Sequence, residues 1–489
     1  MIQILHQNLE NGFVSTSKKT WRNWAGTVTN NPQCIFLPNT LEELRDIVKN
    51  AKKNGKKIRC AAQGHSWSSL SATKDYFVIV NNLTKVQVQK REKYGWTIIA
   101  EAGASIKQID DTLRNNDPPL TMNSMTVINT LRASGIVSTG AHGAKIQGAS
   151  VSDELISLQI VTADGELHEF SEEKDPQEMN VARVSLGLLG IIYSVTFRVE
   201  PLFNLRMIDT FPLATDWLKP EILKQYYENS DSLEVIYWPF NQGNIDTNKD
   251  TIWVKQWIRT EDPATVSQKQ ITQKSKYDAP IFKYFFTSVY NLTAKYPAIT
   301  PITSAILYKL VPQRSTKDAI YEAPDAIHFQ SCLDIIPLNC LEFTFKVNSD
   351  FSNVHIEMLN IMSMITKSAK QGEFPLNSVA EFRINKASKA ILASGYDADP
   401  NAIYCHIEII TFFGTPGWKE FSAEIANGWI EKYQARPHWG KEWEHVPGII
   451  PYLHTRLSDQ IKTFEIVRAK YDPKKIFFDN DSLNRIFYN

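Results

Sequence analysis

The sequence predicts an α+β protein with an N-terminal α+β domain, a β-rich middle and a C-terminal segment that packs back on the first domain. Three observations carry this. Between about 20 and 200, short β-like runs alternate with amphipathic helices. After Glu200-Pro201 the texture changes to aromatic-rich strands such as LEVIYWPF (233–240) and TIWVKQWI (251–258). The last fifty residues return to helix, in LSDQIKTFEIVRAKYDP (457–473), before the tail KKIFFDNDSLNRIFYN. The boundaries expected on this basis are 1–201, 202–445 and 446–489.

Taken in order, the helix over 40–55 is the clearest element. Thr40 is placed to cap it with Glu43 three residues on, Leu41, Leu44, Ile47, Val48 and Ala51 form its apolar stripe, and Gly55 ends it. KKIRCAA (56–62) reads as a strand, as do FVIVNNL (77–83) and WTIIAEAGAS (96–105), and ASIKQIDDTLRNN (104–116) as a second capped helix. ISLQIVTADGELHEF (156–170) is two alternating runs around Ala163-Asp164-Gly165, a strong hairpin signal. Beyond the middle strands, CLEFTFKV (340–347), a helix over 354–370, and the alternating strands SVAEFRIN and AIYCHIEIITFF follow.

Composition narrows the function classes. Lys+Arg and Asp+Glu number 53 each, which removes any global electrostatic case for nucleic acid or an anionic membrane as partner. The five cysteines, Cys34, Cys60, Cys332, Cys340 and Cys405, are odd in number and scattered without a CxxC pair, so neither a disulfide framework nor a metal site is expected. The start MIQILHQNLENGF lacks the charged and apolar regions of a signal peptide, and ITPITSAILYKLVP (299–312) is too short to span a bilayer. A cytoplasmic protein without an integral membrane span is the expectation, with peripheral association left open.

Three small-residue stretches stand out. AAQGHSWSSL (61–70) breaks a strand at Gly64 and sets His65 directly behind it, followed by Ser66 and a Trp67 with no evident role. LRASGIVSTGAHGAKIQGASVSDELISLQIVTADGE (131–166) lets backbone approach something large, and SLGLLGII (185–192) places Gly187 and Gly190 before a strand. Singly, each reads as an ordinary tight turn. Together and in this order they resemble the FAD-binding domain of the vanillyl-alcohol-oxidase superfamily. Glu381-Phe382-Arg383, Arg436-Pro-His-Trp-Gly-Lys441, Trp21-Arg-Asn-Trp-Ala-Gly26 and Tyr471-Asp-Pro with Ile476-Phe-Phe resemble the motifs of its aldonolactone and alditol oxidase group. The motifs run out across about 203–370.

The resemblance implies a fold: a two-subdomain FAD-binding domain of the PCMH type, then a substrate or cap domain with a large antiparallel sheet flanked by helices. It implies FAD bound through Gly64, His65, Ser66, Ser124, Ser138, Thr139, Gly140, His142, Gly143, Gly187, Gly190 and Ile191. His65 would carry the 8α-methyl of FAD as the single covalent link, since STGAHGAK holds no cysteine for a second. Glu381 and Arg383, at i and i+2, face one side of a strand and would meet the substrate hydroxyl; alone they read better as a surface ion pair, and the Arg436–Lys441 motif downstream reverses that. Lys441 is expected near flavin and substrate, with His438 and Trp439 shaping the wall. His406 shares a strand face with Tyr404, Glu408 and Ile410, and would hold or deprotonate the substrate hydroxyl; a buried, satisfied histidine is the alternative. Glu408 stands where a smaller polar residue is usual. Asn123 and Ser124 would flank the flavin's reactive edge, and the bulkier Asn123 would hinder oxygen.

The implied activity is FAD-dependent oxidation of an alcohol carbon in a sugar lactone, alditol or related polyol, by hydride transfer to flavin N5, with O2 reoxidising the flavin to give H2O2. An oligosaccharide or non-sugar alcohol substrate, another electron acceptor, and a non-catalytic flavin-binding protein are the alternatives.

Overall fold

The structure is a computed structural model. It describes residues 7–10, 13–16, 20–310, 319–329 and 337–488, with the side chains of 7–10, 13–16, 268, 270 and 272–283 left aside. Cys332 lies outside the described residues.

The first part of the chain forms two large sheets and a two-stranded one, Trp21–Arg22 with Thr29–Asn30. Of the large sheets, one has five strands, in the order Gln7–Glu10, Phe13–Thr16, Cys34–Phe36, Tyr76–Ile79 and Ile58–Ala61. The helix Leu41–Lys53 buries Leu44, Ile47, Val48 and Ala51 in the core beside this sheet, and its Thr40 hydroxyl accepts from the Glu43 N–H at 3.2 Å. The second has six strands, with Leu167–Ser171, Leu155–Val161, Ile191–Pro201, Gly95–Glu101 and Val86–Arg91 in line and Leu120–Met122 on the far end of Ile191–Pro201. The expected hairpin is its Leu155–Val161 and Leu167–Ser171 pair, and Ser105 and Gln108 cap the helix Ile106–Arg114 reciprocally.

The remainder is organised by one eight-stranded antiparallel sheet. Its order is Ala319–Glu322, Asn204–Thr210, Ile252–Thr260, Ser232–Tyr237, Ala380–Lys386, Ile403–Phe412, Leu338–Lys346 and Arg436–Pro437. Two helices, Gln268–Lys295 and Thr300–Leu310, occupy a region that reads as β-rich from sequence. Their aromatic residues mislead: Phe285, Phe286, Val289 and Tyr290 recur at helical spacing and pack on Trp238 and Phe412 of the sheet. The tail also contains an unexpected helix, Asp481–Tyr488, which buries Leu483, Ile486 and Phe487. Among the described residues, no helix is long and apolar enough to cross a membrane.

Near its end the chain returns to the first sheet. Ile58 N–H donates to the Ile476 carbonyl at 2.8 Å, and Lys57 Nζ to that of Lys475 at 2.6 Å. The buried Arg59 guanidinium binds the carbonyls of Leu70 (2.9 Å from Nε), Leu186 (2.8 Å) and Phe477 (2.9 Å). The Asp472 carboxylate of the Tyr471-Asp-Pro motif accepts the N–H groups of Ile476 and Phe477 at 2.9 and 3.0 Å, fixing the turn that delivers them.

Candidate active site

A cavity of about 360 Å³ lies between the first domain and the eight-stranded sheet. On the first-domain side its wall is built from the small-residue stretches. The strand Ile58–Ala61 ends in a turn in which Gly64 has φ +75°, and a Cβ there would strike the Trp21 ring at 2.6 Å. His65 follows, its ring stacked on Trp24 with centroids 5.0 Å apart, while Trp24 Nε1 donates to the His65 carbonyl at 2.9 Å. Gly190, at φ +148°, presses on the hairpin so closely that a Cβ would lie 2.4 Å from the Val161 carbonyl oxygen.

Of the residues expected to bind FAD, Gly64, His65, Ser66, Ser138, Thr139, His142, Gly187, Gly190 and Ile191 line the cavity. Ser124, Gly140 and Gly143 do not, and each has a structural reason. Gly140 terminates the helix Ala133–Thr139 in a left-handed conformation, φ +71°. Gly143 packs on backbone, since its Cβ would come within 2.0 Å of the Met125 carbonyl oxygen. Ser124 is buried, and the chain register puts Thr126, Val127 and Ile128 at the cavity instead. Asn123 also lies outside the cavity lining, bonded to Glu154 (3.0 Å) and Lys145 (2.5 Å).

The opposite wall is one face of the large sheet, and its register sorts the side chains into rows. Ile236, Glu381, Glu408 and Glu342 stand directly across from one another on four neighbouring strands. The adjacent row is Glu234, Arg383, His406 and Thr344. Three carboxyl groups in one row repel unless protons or cations intervene. Both do. Arg383 donates to Glu234 (Nε, 3.0 Å) and Glu381 (2.6 Å), and its Nη1 lies 3.6 Å from Glu408. Lys441, delivered by the turn after Arg436–Pro437, pairs with Glu408 and lies 3.8 Å from Glu342 and 3.3 Å from Cys340 Sγ.

Burial raises the Glu381 carboxyl well above its usual range, because Glu234 and Glu408 offset the attraction of Arg383. The shift favours the protonated form of Glu381. Burial alone would also raise Glu408, but Lys441 and Arg383 more than compensate and keep it ionised. Burial likewise opposes the charges of Arg383 and Lys441, and the surrounding acidic groups outweigh it in both cases. Glu381, Arg383, Glu408, Glu342 and Lys441 all line the cavity.

His406 does not. Its ring packs 3.8 Å from that of His142, its Nδ1 meets the Thr344 hydroxyl at 3.0 Å, and burial drives its pKa down to about 3. It reaches the cavity through His142 and through Glu342, which lies 3.6 Å from its Nδ1 and binds His142 Nε2 at 2.7 Å. Burial works against the Glu342 charge, and His142, His438 and His406 around it hold the carboxyl well below the usual range. These imidazole and carboxylate atoms, from His142, Glu342 and His406, lie within 4.8 Å of one another, a spacing compatible with a metal ion, but His142 is already hydrogen-bonded to Glu342 and His406 to the Thr344 hydroxyl. His438 lines the cavity as expected; Trp439 turns away, its Nε1 donating to the Leu392 carbonyl at 2.5 Å. Trp67 gains an explanation. Its Nε1 donates to the Leu338 carbonyl at 2.6 Å, and its ring lies 4.7 Å from Lys441 Nζ.

Glu234, Glu342 and Cys340 escape a motif-based reading. Their signal was present: each glutamate interrupts an apolar run, in LEVIYWPF and CLEFTFKV, and a buried carboxylate in a central strand needs a partner.

The cavity fits FAD. A Cβ on Gly135 would meet no atom within 4 Å and would stand in the cavity itself, so this wall is a cradle that larger residues would fill. One long cavity also joins that cradle to the carboxyl–guanidinium cluster.

Comparisons with known proteins agree. An FAD-binding-domain model matches residues 32–171, and a D-arabinono-1,4-lactone oxidase model matches 195–486, more than half of the chain. The chain is 26% identical over 382 residues to the D-arabinono-1,4-lactone oxidase of Kluyveromyces lactis, covering 76% of this chain and 68% of that one. It is 22% identical over 474 residues to the L-gulono-1,4-lactone dehydrogenase of Mycobacterium tuberculosis, covering 95% and 98%. Its fold is shared with cholesterol oxidase from B. sterolicum, at a TM-score of 0.82 and 18% identity over 99% of this chain and 100% of that one. The chain thus belongs to the D-arabinono-1,4-lactone oxidase family of FAD-dependent oxidoreductases.

Proposed function

We propose that the chain oxidises the CH–OH carbon of a lactone or related alcohol held at the Glu381, Arg383, Glu408 and Lys441 cluster, with O2 as electron acceptor and H2O2 as product. The observation that carries this reading is the single cavity that joins the small-residue cradle to the cluster. FAD, when bound, supplies the two-electron acceptor for the carbinol C–H bond. His65, at the strand-end turn, is its covalent anchor. A second link through Cys60 is disfavoured, because burial pushes that thiol up to about 12 and leaves little thiolate.

The protein's own groups handle the proton and the charge. Glu381, protonated, donates a hydrogen bond to the substrate oxygen, and Arg383 and Lys441 offer positive charge as the hydroxyl loses its proton. Glu408 accepts that proton; it is the ionised carboxylate beside Lys441. Glu342, through His142 and His406, fixes the floor beneath and is a positioning residue.

Anaerobic mixing with D-arabinono-1,4-lactone followed by acid precipitation tests the reading. Bleaching of the flavin is expected, slowed roughly 10²- to 10⁴-fold in Glu408→Gln, with yellow colour retained in the wild-type pellet after reoxidation and lost from His65→Ala. An unchanged bleaching rate in Glu408→Gln removes it as the proton acceptor. A colourless wild-type pellet removes the covalent link.

A further inference from the structure

The sheet wall of the cavity changes character along its strands. Two residues beyond Glu381 and Glu408 the same face presents Val379 and Ile410, and two further on Phe412 stands opposite Leu338. At the other edge Ile236 is paired with Trp253, and Trp238 follows on the same strand course. From Glu408 to Phe412 is four residues, roughly 13 Å of extended chain. Phe286 of the helix Gln268–Lys295 closes over this end.

Most polar groups at this end are already engaged, and the buried Trp238 Nε1 is a donor without a partner. Trp253 Nε1 donates to Asp209 at 2.8 Å, Tyr290 donates to the Phe413 carbonyl at 2.5 Å, and Tyr308 accepts from Thr251 at 2.9 Å. Among the described residues, Ser378 is the one hydroxyl side chain lining this end. A polyol or bare sugar lactone carries several hydroxyl groups, each of which loses its water on entry and needs a new partner. Here it would meet Val379, Ile410, Phe412, Phe286 and two indole faces. A hydrocarbon surface meets the same wall without loss and gains by leaving water.

We propose that the substrate is an alcohol or lactone whose oxidised carbon sits at the charge cluster and whose remote part is a bulky hydrocarbon body, held between Trp238, Trp253, Phe286, Val379, Ile410 and Phe412. The inference rests on the CH–OH oxidation proposed above and specifies the substrate class for the same site. The polar half of the pocket is concentrated around one carbinol, and beyond it Ser378 and the Trp238 Nε1 are the polar exceptions in an apolar wall.

Calorimetric titration of the FAD-loaded enzyme with non-reducing ketones separates this inference from the oxidase reading. 2-Decalone is expected to bind at least tenfold more tightly than cyclohexanone, since each methylene fully buried is worth about fourfold in affinity. It should also bind more tightly than D-arabinono-1,4-lactone, with a negative heat-capacity change. Phe412→Ser should weaken 2-decalone about tenfold and cyclohexanone less. Equal affinity for the two ketones, or tighter binding of the lactone, overturns the inference whether or not any compound reduces the flavin. Failure of decahydro-2-naphthol, D-arabinono-1,4-lactone and xylitol alike to bleach the flavin overturns the oxidase reading instead, and leaves the ketone comparison to decide this one.

Discussion

The two walls of the cavity are made differently. On the first-domain side, Gly64, Gly135, Gly187 and Gly190 bring main chain to the surface, and the shape depends on what is missing at Cβ. On the sheet side, Glu234, Glu342, Glu381, Arg383 and Glu408 come from four strands that are far apart in sequence, and the shape depends on what charged side chains do to one another. A backbone wall tolerates little added volume; a charged wall tolerates little lost charge.

The sharpest way to break that contrast is Arg383→Met. It leaves Glu234 and Glu408 buried without their shared cation, and removal of one partner from a buried ion pair costs about 3–5 kcal/mol. A large fall in Tm is expected. A Tm within a degree of wild type would mean that protons and Lys441 neutralise the carboxyl row without Arg383. On the backbone side, Gly143→Ala forces a Cβ against the Met125 carbonyl, and overpacking of this kind costs about 1–3 kcal/mol. It should lower Tm and FAD content together, because Met125 directly precedes the Thr126–Ile128 wall. A smaller effect distinguishes the layer beneath. His406 and His438 have pKa values lowered by burial to about 3 and about 4, against 6.5 when unfolded. Below pH 6.5 the unfolded chain takes up protons that the folded one refuses, so stability falls with pH from about 6.5 down to the folded values. His406→Asn should shallow that slope by up to about 1.4 kcal/mol per pH unit, measured as Tm against pH; an unaltered slope would mean His406 is charged in the fold.

The same contrast explains what could be read from the sequence. The cradle was legible because its signals are local: Gly64-His65 ends one strand, and the Ala163-Asp164-Gly165 hairpin and the Thr40 cap are each written in a few consecutive residues. The Glu381 and Arg383 pairing was legible for the same reason, as an i, i+2 spacing on one strand. The row Ile236, Glu381, Glu408 and Glu342 was not, because strand order 232–237, 380–386, 403–412, 338–346 is set by packing of the whole sheet. His406 shows the limit from the other side. Periodicity assigned it to the face of Glu408 correctly, yet His142 and Glu342 from other elements cover it. The helices at 268–310 were missed because aromatic residues favour strands in isolation, while here they pack a cap on the sheet.

The tie between Arg59 and the carbonyl of Phe477 joins residues 418 positions apart. During synthesis the Ile58–Ala61 strand leaves the ribosome hundreds of residues before its neighbour at Ile476 exists. Until then Arg59 lacks one of its carbonyl partners and Ile58 lacks its backbone acceptor. The His65 turn is continuous with that strand, so its final geometry is set only after residues 472–480 have been made. The order of the chain thus lets the strand that carries this turn complete its hydrogen bonds only in a nearly finished protein.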